Sequence, residues 1–194
     1  MKIVLGLTGG SGCGKSVAAE YLKSRGAFII DADKIARKIM NPGEAAYRQV
    51  VACFKNITLS GGEIDRKKLG ALVFSDKQEL KKLNTITHSV IIREIETELA
   101  ETDEPFVVID APLLFECGLE RLCTASLSIL ASTKDRIRRI AARDGLSEVI
   151  AFNRILSQNN DEYYRSRSEF VIENNGSLTE LYNSLDLILK ELLP

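Results

Sequence analysis

The 194-residue chain has almost no net charge, −1 from 26 basic and 27 acidic residues. No bulk field therefore draws it to nucleic acid or to an anionic membrane. It has no apolar segment of bilayer-spanning length, and the apolar run from Ile3 to Leu7 is too short for a signal peptide. Together these absences lead to the expectation of a cytoplasmic protein with neither nucleic-acid nor membrane partners. Cysteine is sparse: Cys13, Cys53, Cys117 and Cys123 form no CxxC pair and show no zinc-like spacing with the single histidine, His88. The expected state is reduced thiols. There is no internal repeat and no low-complexity tract. What remains is ordinary globular composition, 45% hydrophobic and 27% charged, in a length that suits one domain with insertions.

Against that plain background one stretch stands out, Gly9-Gly10-Ser11-Gly12-Cys13-Gly14-Lys15-Ser16. It follows the apolar run 3–7, which reads as a buried strand, and opens into 17–22, which reads as a helix. The spacing fits G-x-x-x-x-G-K-[ST], the phosphate-binding P-loop. Gly9, Gly12 and Gly14 allow backbone conformations in which several N–H groups share one concavity. The helix N-terminus adds unpaired donors and partial positive charge. Lys15 suits the outer phosphates of a nucleotide and the Ser16 hydroxyl suits Mg²⁺. Cys13 sits inside the loop, where Lys15 and the helix end would lower its pKa; it reads as a variable loop position and not as a nucleophile.

Further along, Ala27 to Ile30 reads as a second strand ending in Asp31-Ala32-Asp33. Ligands of doubly wound sheets gather at the carboxyl ends of strands. One of these acids suits a functional role and one suits capping of the following helix, 34–40. A helix over 44–54 and a long amphipathic helix over 76–100 follow, the latter carrying His88; a lone helical histidine is more often packed or exposed than a ligand. Pro105 to Asp110 is the third strand, and Asp110 at its end is the candidate for a water-mediated Mg²⁺ contact. The apolar segment 111–116, with Leu113 and Leu114, either walls a pocket or covers the sheet. Strands are expected at 125–131 and 170–172, with a closing helix over 178–192.

The helix expected over 134–143 places Arg136, Arg139 and Arg143 on one face. Guanidinium groups there suit the clamping of a transferring phosphoryl group. No N-K-x-D guanine-recognition string occurs. A small kinase fits these features better than a GTPase, while a partner-coupled ATPase stays open on the residues alone.

Taken together, L-T-G-G-S-G-C-G-K-S (7–16), I-D-A-D (30–33), L-N-T-I-T-H (83–88), D-A-P-L-L-F-E (110–116), R-I-A-A-R-D (139–144), Gln158 and V-I-E-N-N-G (171–176) resemble the dephospho-CoA kinase family almost end to end. Three positions depart from the family's usual residues: Val17 for threonine, Ser89 for proline and Glu169 for aspartate. The resemblance implies ATP-dependent phosphorylation of the ribose 3′-hydroxyl of dephospho-CoA, the last step of coenzyme A synthesis. It implies ATP and Mg²⁺ as donor and cofactor, dephospho-CoA as the small-molecule partner, and a monomer or weak oligomer. It further implies that Asp33 accepts the hydroxyl proton, with Asp31 structural. Lys15 and Arg139 join Asp33 as catalytic residues. Gly10, Ser11, Gly12, Cys13, Gly14, Lys15, Ser16, Val17, Arg139 and Arg143 hold ATP; Asp33, His88, Leu113 and Leu114 hold the acceptor; Ser16 and, through water, Asp110 hold the metal.

The expected fold is thus α/β, a P-loop NTPase-type five-stranded parallel sheet flanked by helices, within a single domain. Its core spans about 1–33, 104–134 and 168–194, with a helical substrate-binding insertion at about 34–103 and a lid with adjoining helices at about 135–167.

Overall fold

The apolar run near the N-terminus forms β1 (Ile3–Thr8), buried at all six positions. That is the pattern of a central strand covered on both faces. In the computed structural model, which describes residues 2–193 apart from the Phe74 side chain, β1 pairs in parallel with β3 (Phe106–Asp110) and β4 (Ala125–Leu130). β5 (Phe170–Glu173) lies parallel to β4, and β2 (Phe28–Asp31) forms the other edge beside β3, giving the order β2-β3-β1-β4-β5. The expected five-stranded parallel sheet is therefore present. The register sets Leu7 opposite Asp110, which brings the end of β3 beside the loop that leaves β1.

The chain divides into two units, Met1–Ile30 with Asp103–Pro194, and Asp31–Thr102. In the first, α1 (Lys15–Ser24) packs with α9 (Leu178–Leu192), and α9 also packs on β5. Their apolar faces join the strands in one core containing Leu5, Leu7, Leu22, Leu127, Ile129 and Leu185. A smaller core, Ile140, Ala151 and Ile155, joins α6 (Thr133–Asp144) to α7 (Glu148–Leu156). Serine begins each of these helices: the Ser132 and Ser147 hydroxyls accept the backbone N–H groups of Asp135 and Ile150. The short α8 (Asp161–Arg165) leads back to β5.

The second unit is helical: α2 (Ala32–Lys38), α3 (Tyr47–Cys53), α4 (Arg66–Ser75) and α5 (Lys77–Glu101). The long α5 packs against the other three, burying Thr87, Val90, Ile91 and Ile95. Here α3 begins later than the expected residue 44, because Pro42 to Ala46 make turns before Tyr47. Ser89 does not interrupt α5, which runs unbroken through it. Glu169 keeps a carboxylate where it can accept both the Ser126 N–H, at 2.8 Å, and the Ser126 hydroxyl. Burial alone would raise its pKa, but those bonds outweigh it and hold the carboxyl below its ordinary value.

Candidate active site

Residues 9–16 turn from β1 into α1 with Gly9, Gly12 and Gly14 at φ of 146°, 78° and 102°. Side chains rarely adopt these angles, so the glycines shape the loop. Gly14 is the residue before α1, and no side chain caps that helix, so its first N–H groups stay directed at the loop. Lys15 Nζ lies 2.5 Å from Asp110 Oδ1, each side chain being 14% exposed. The β1–β3 register produces this pair. Ser16 is exposed in the first turn of α1, and the neighbouring Val17 is partly exposed.

The metal-binding chemistry of the site is sparse. Among the described residues no group of three or more His, Cys, Asp or Glu side chains is placed to hold a cation. The donors present are the Ser16 hydroxyl and the Asp110 carboxylate. That set fits Mg²⁺, which takes one or two protein oxygens and completes its shell with water and substrate phosphates.

Side chains from distant parts of the first unit grip the loop from behind. Asn174 Nδ2 donates to the Cys13 carbonyl at 2.8 Å, in a place that a Cβ on Gly14 would occupy. Arg139 donates through Nη1 to the Gly12 and Cys13 carbonyls, at 3.3 and 3.4 Å, and through Nη2 to the Asn174 carbonyl at 2.9 Å. Arg136 and Gln158 bond to Ser11. The expected arginine face thus divides. Arg139 and the buried Arg136 reach the loop, whereas Arg143 is exposed and bonds to Asp144, which also accepts from Arg154. Those guanidinium groups, Arg143 first, hold the Asp144 pKa down to about 2.

The Cys13 expectation is corrected. The thiol is 1% exposed, and burial raises its pKa although Lys15 and Arg136 pull it down. The apolar segment after β3 also divides: Leu114 is fully buried and would touch any Cβ added to Gly6, while Leu113 is 51% exposed. Leu114 packs against β1, and Leu113 is the one available to a ligand.

Asp33 and His88 belong to the second unit. The Asp31 side chain caps α2 by accepting the Lys34 N–H at 2.9 Å. Asp33 stands in the first turn, exposed, with no hydrogen bond or ion pair among the described residues. The two acids thus take different places, one holding the helix and one open to solvent. His88 is half-buried on α5 and lines an open groove with Lys77, Leu80, Lys81, Asn84 and Thr85. Burial lowers its pKa from the ordinary imidazole value, which favours the neutral ring.

Asn174 and Gln158 are loop contacts that helical or strand periodicity does not reveal, and Arg136, expected on a phosphate-facing arginine face, instead reaches the loop from behind. The sequence signal for Asn174 and Gln158 is their place in the family-like strings, Gln158 itself and 171–176.

A family model described as dephospho-CoA kinase matches residues 3–180. A dephospho-CoA kinase of Geobacillus kaustophilus is 40% identical over 195 residues, covering 98% of this chain and 97% of its own. Among solved structures, TT1252 from Thermus thermophilus is 35% identical with a TM-score of 0.87, covering 100% of this chain and 99% of the other. A dephospho-CoA kinase from Campylobacter jejuni is 32% identical with a TM-score of 0.70, covering 98% and 97%.

Proposed function

The chain belongs to the dephospho-CoA kinase family, and on that premise we propose how its own residues carry ATP-dependent phosphorylation of the dephospho-CoA ribose 3′-hydroxyl. The observation that supports the reading most is the convergence of Lys15, Asp110 and the uncapped start of α1 on one glycine-rich loop.

The loop N–H groups of residues 10–17 hold the ATP phosphates, and Lys15 leaves Asp110 to meet the β- and γ-phosphates. Asp33 accepts the 3′-hydroxyl proton as the oxygen attacks the γ-phosphorus. The new P–O bond forms as the bond from the γ-phosphorus to the β–γ bridging oxygen breaks, and ADP leaves with that electron pair. Positioning and charge stabilisation supply most of the rate for this class of reaction. Arg139, already against the loop, and Arg143, once released from Asp144, supply positive charge to the phosphates. His88 and Leu113 contact the acceptor, and Leu114 supports Leu113 from the core. Ser16 would hold Mg²⁺ directly and Asp110 would hold it through water, and the bound ion would supply charge neutralisation at the donor phosphates.

A cytoplasmic location belongs to the same reading. The donor is ATP, and all four cysteines are free thiols. Among the described residues no helix is long and apolar enough to cross a membrane.

Removing divalent cations with excess chelator is expected to abolish ADP formation, and adding Mg²⁺ back to restore it. Steady-state ADP release measured across a magnesium titration checks this. Undiminished turnover in chelator would contradict the assignment of Ser16 and Asp110.

A further inference from the structure

Arg136 lies in the interior, 5% exposed, in the first turns of α6. Its Nε donates to the Ser11 carbonyl at 2.9 Å and its Nη2 donates to Gln158 Oε1 at 2.9 Å. The same Oε1 accepts the Ser11 N–H at 2.9 Å, and Gln158 Nε2 donates to the Ser11 hydroxyl at 3.1 Å. Two side chains, one from α6 and one just beyond α7, therefore hold both backbone polar groups and the hydroxyl of a single loop residue.

The charge on this arginine is weakly balanced. Buried guanidinium groups are ordinarily paired with a close carboxylate. Here the carboxylate in reach is Asp161, 3.8 Å from Nη1 and 47% exposed, while the short bonds go to neutral oxygens. The loop is built to admit the arginine. A Cβ on Gly10 would collide with the guanidinium, and one on Gly12 would lie 2.8 Å from the Arg136 carbonyl oxygen.

We propose that Arg136 and Gln158 are positioning residues for the phosphate loop, clamping the Ser11 peptide and keeping positive charge behind it, so that they set affinity for the ATP phosphates and not for the acceptor. This rests on residues 9–16 being the ATP phosphate site. A loop with glycine at 9, 10, 12 and 14 loses much conformational freedom when it orders around a ligand. The clamp removes part of that freedom in advance, and preorganisation of this kind raises affinity. The charge behind the loop adds attraction that a phosphate-free ligand does not feel.

The test compares Arg136→Gln, Arg136→Lys and Gln158→Glu with wild type, measuring KM for ATP, KM for dephospho-CoA, the ADP dissociation constant and thermal unfolding. Arg136→Gln is expected to raise the ATP KM and the ADP dissociation constant by about tenfold or more, as lost preorganised donors do. The dephospho-CoA KM stays within about twofold. Arg136→Lys recovers part of the loss because it keeps the charge without the two-pronged geometry. Gln158→Glu retains an acceptor for Ser11 and Arg136 but cancels the charge. It is expected to fold and to weaken ADP several-fold, and it decides the matter if Arg136→Gln does not fold. Folded variants with wild-type ATP KM and ADP affinity would overturn the proposal, as would equal losses for both substrates. If wild type itself bound no ADP, the phosphate-loop reading would fall instead.

Discussion

Asp33→Asn is expected to lower kcat by about 10²–10⁴-fold, the range for loss of a general base, while ATP affinity stays near wild type. The reason lies in where the two acids of 31–33 stand. Asp31 spends its side chain on the start of α2, accepting the Lys34 N–H. Asp33, two residues on, is exposed and keeps both carboxylate oxygens out of any hydrogen bond among the described residues. An amide at 33 preserves size and polarity but does not take up a proton at neutral pH. Loss of the base without loss of the loop should thus separate chemistry from donor binding. Measuring kcat alongside ADP binding makes the distinction. Unchanged turnover in Asp33→Asn would remove Asp33 from the base role. The corresponding Asp31→Asn change keeps a good capping residue and should leave kcat close to wild type.

Lys15→Ala should reduce kcat by about 10²–10³-fold, comparable to removing one preorganised donor from a site of developing charge. The ammonium group is held 2.5 Å from Asp110, so it is positioned at the loop before any nucleotide arrives. Moving from a single carboxylate to the clustered negative charge of the outer phosphates is electrostatically downhill. Removal of the charge costs most where charge builds up during transfer, so kcat should fall more than the acceptor KM rises. Steady-state kinetics with each substrate varied in turn checks this. A near-wild-type kcat would count against the phosphate-loop assignment.

Lys15 could be singled out in the sequence because its signal is local, whereas the residues alone left open which acid of 31–33 caps the helix, and only the family resemblance pointed to Asp33. The eight-residue glycine-rich string carries its own geometry, and the structure places its three expected glycines at positive φ. The sheet was legible for a similar reason: buried parallel strands read as short apolar runs, and 3–7, 105–110 and 125–131 were such runs. The rear of the site was not legible. Arg136, Gln158 and Asn174 bond to Ser11 and Cys13 across 125, 147 and 161 positions of sequence, distances at which no periodicity carries information. Helical spacing put Arg136, Arg139 and Arg143 on one face, but it does not say what that face meets; one arginine proved buried, one bonded to the loop and one exposed. Exposure likewise separated Leu113 from Leu114, neighbours of identical chemistry. For Cys13 the sequence showed the adjacent positive charge and not the burial that overrides it.

Transfer of the γ-phosphate of ATP to dephospho-CoA is read out by ADP release from Mg·ATP with and without that acceptor, with adenosine and AMP as competing acceptors. The expected result is strong stimulation by dephospho-CoA, coenzyme A formed in step with ADP, and little response to adenosine or AMP. ADP release at the same rate without any acceptor would mark an ATPase and contradict it.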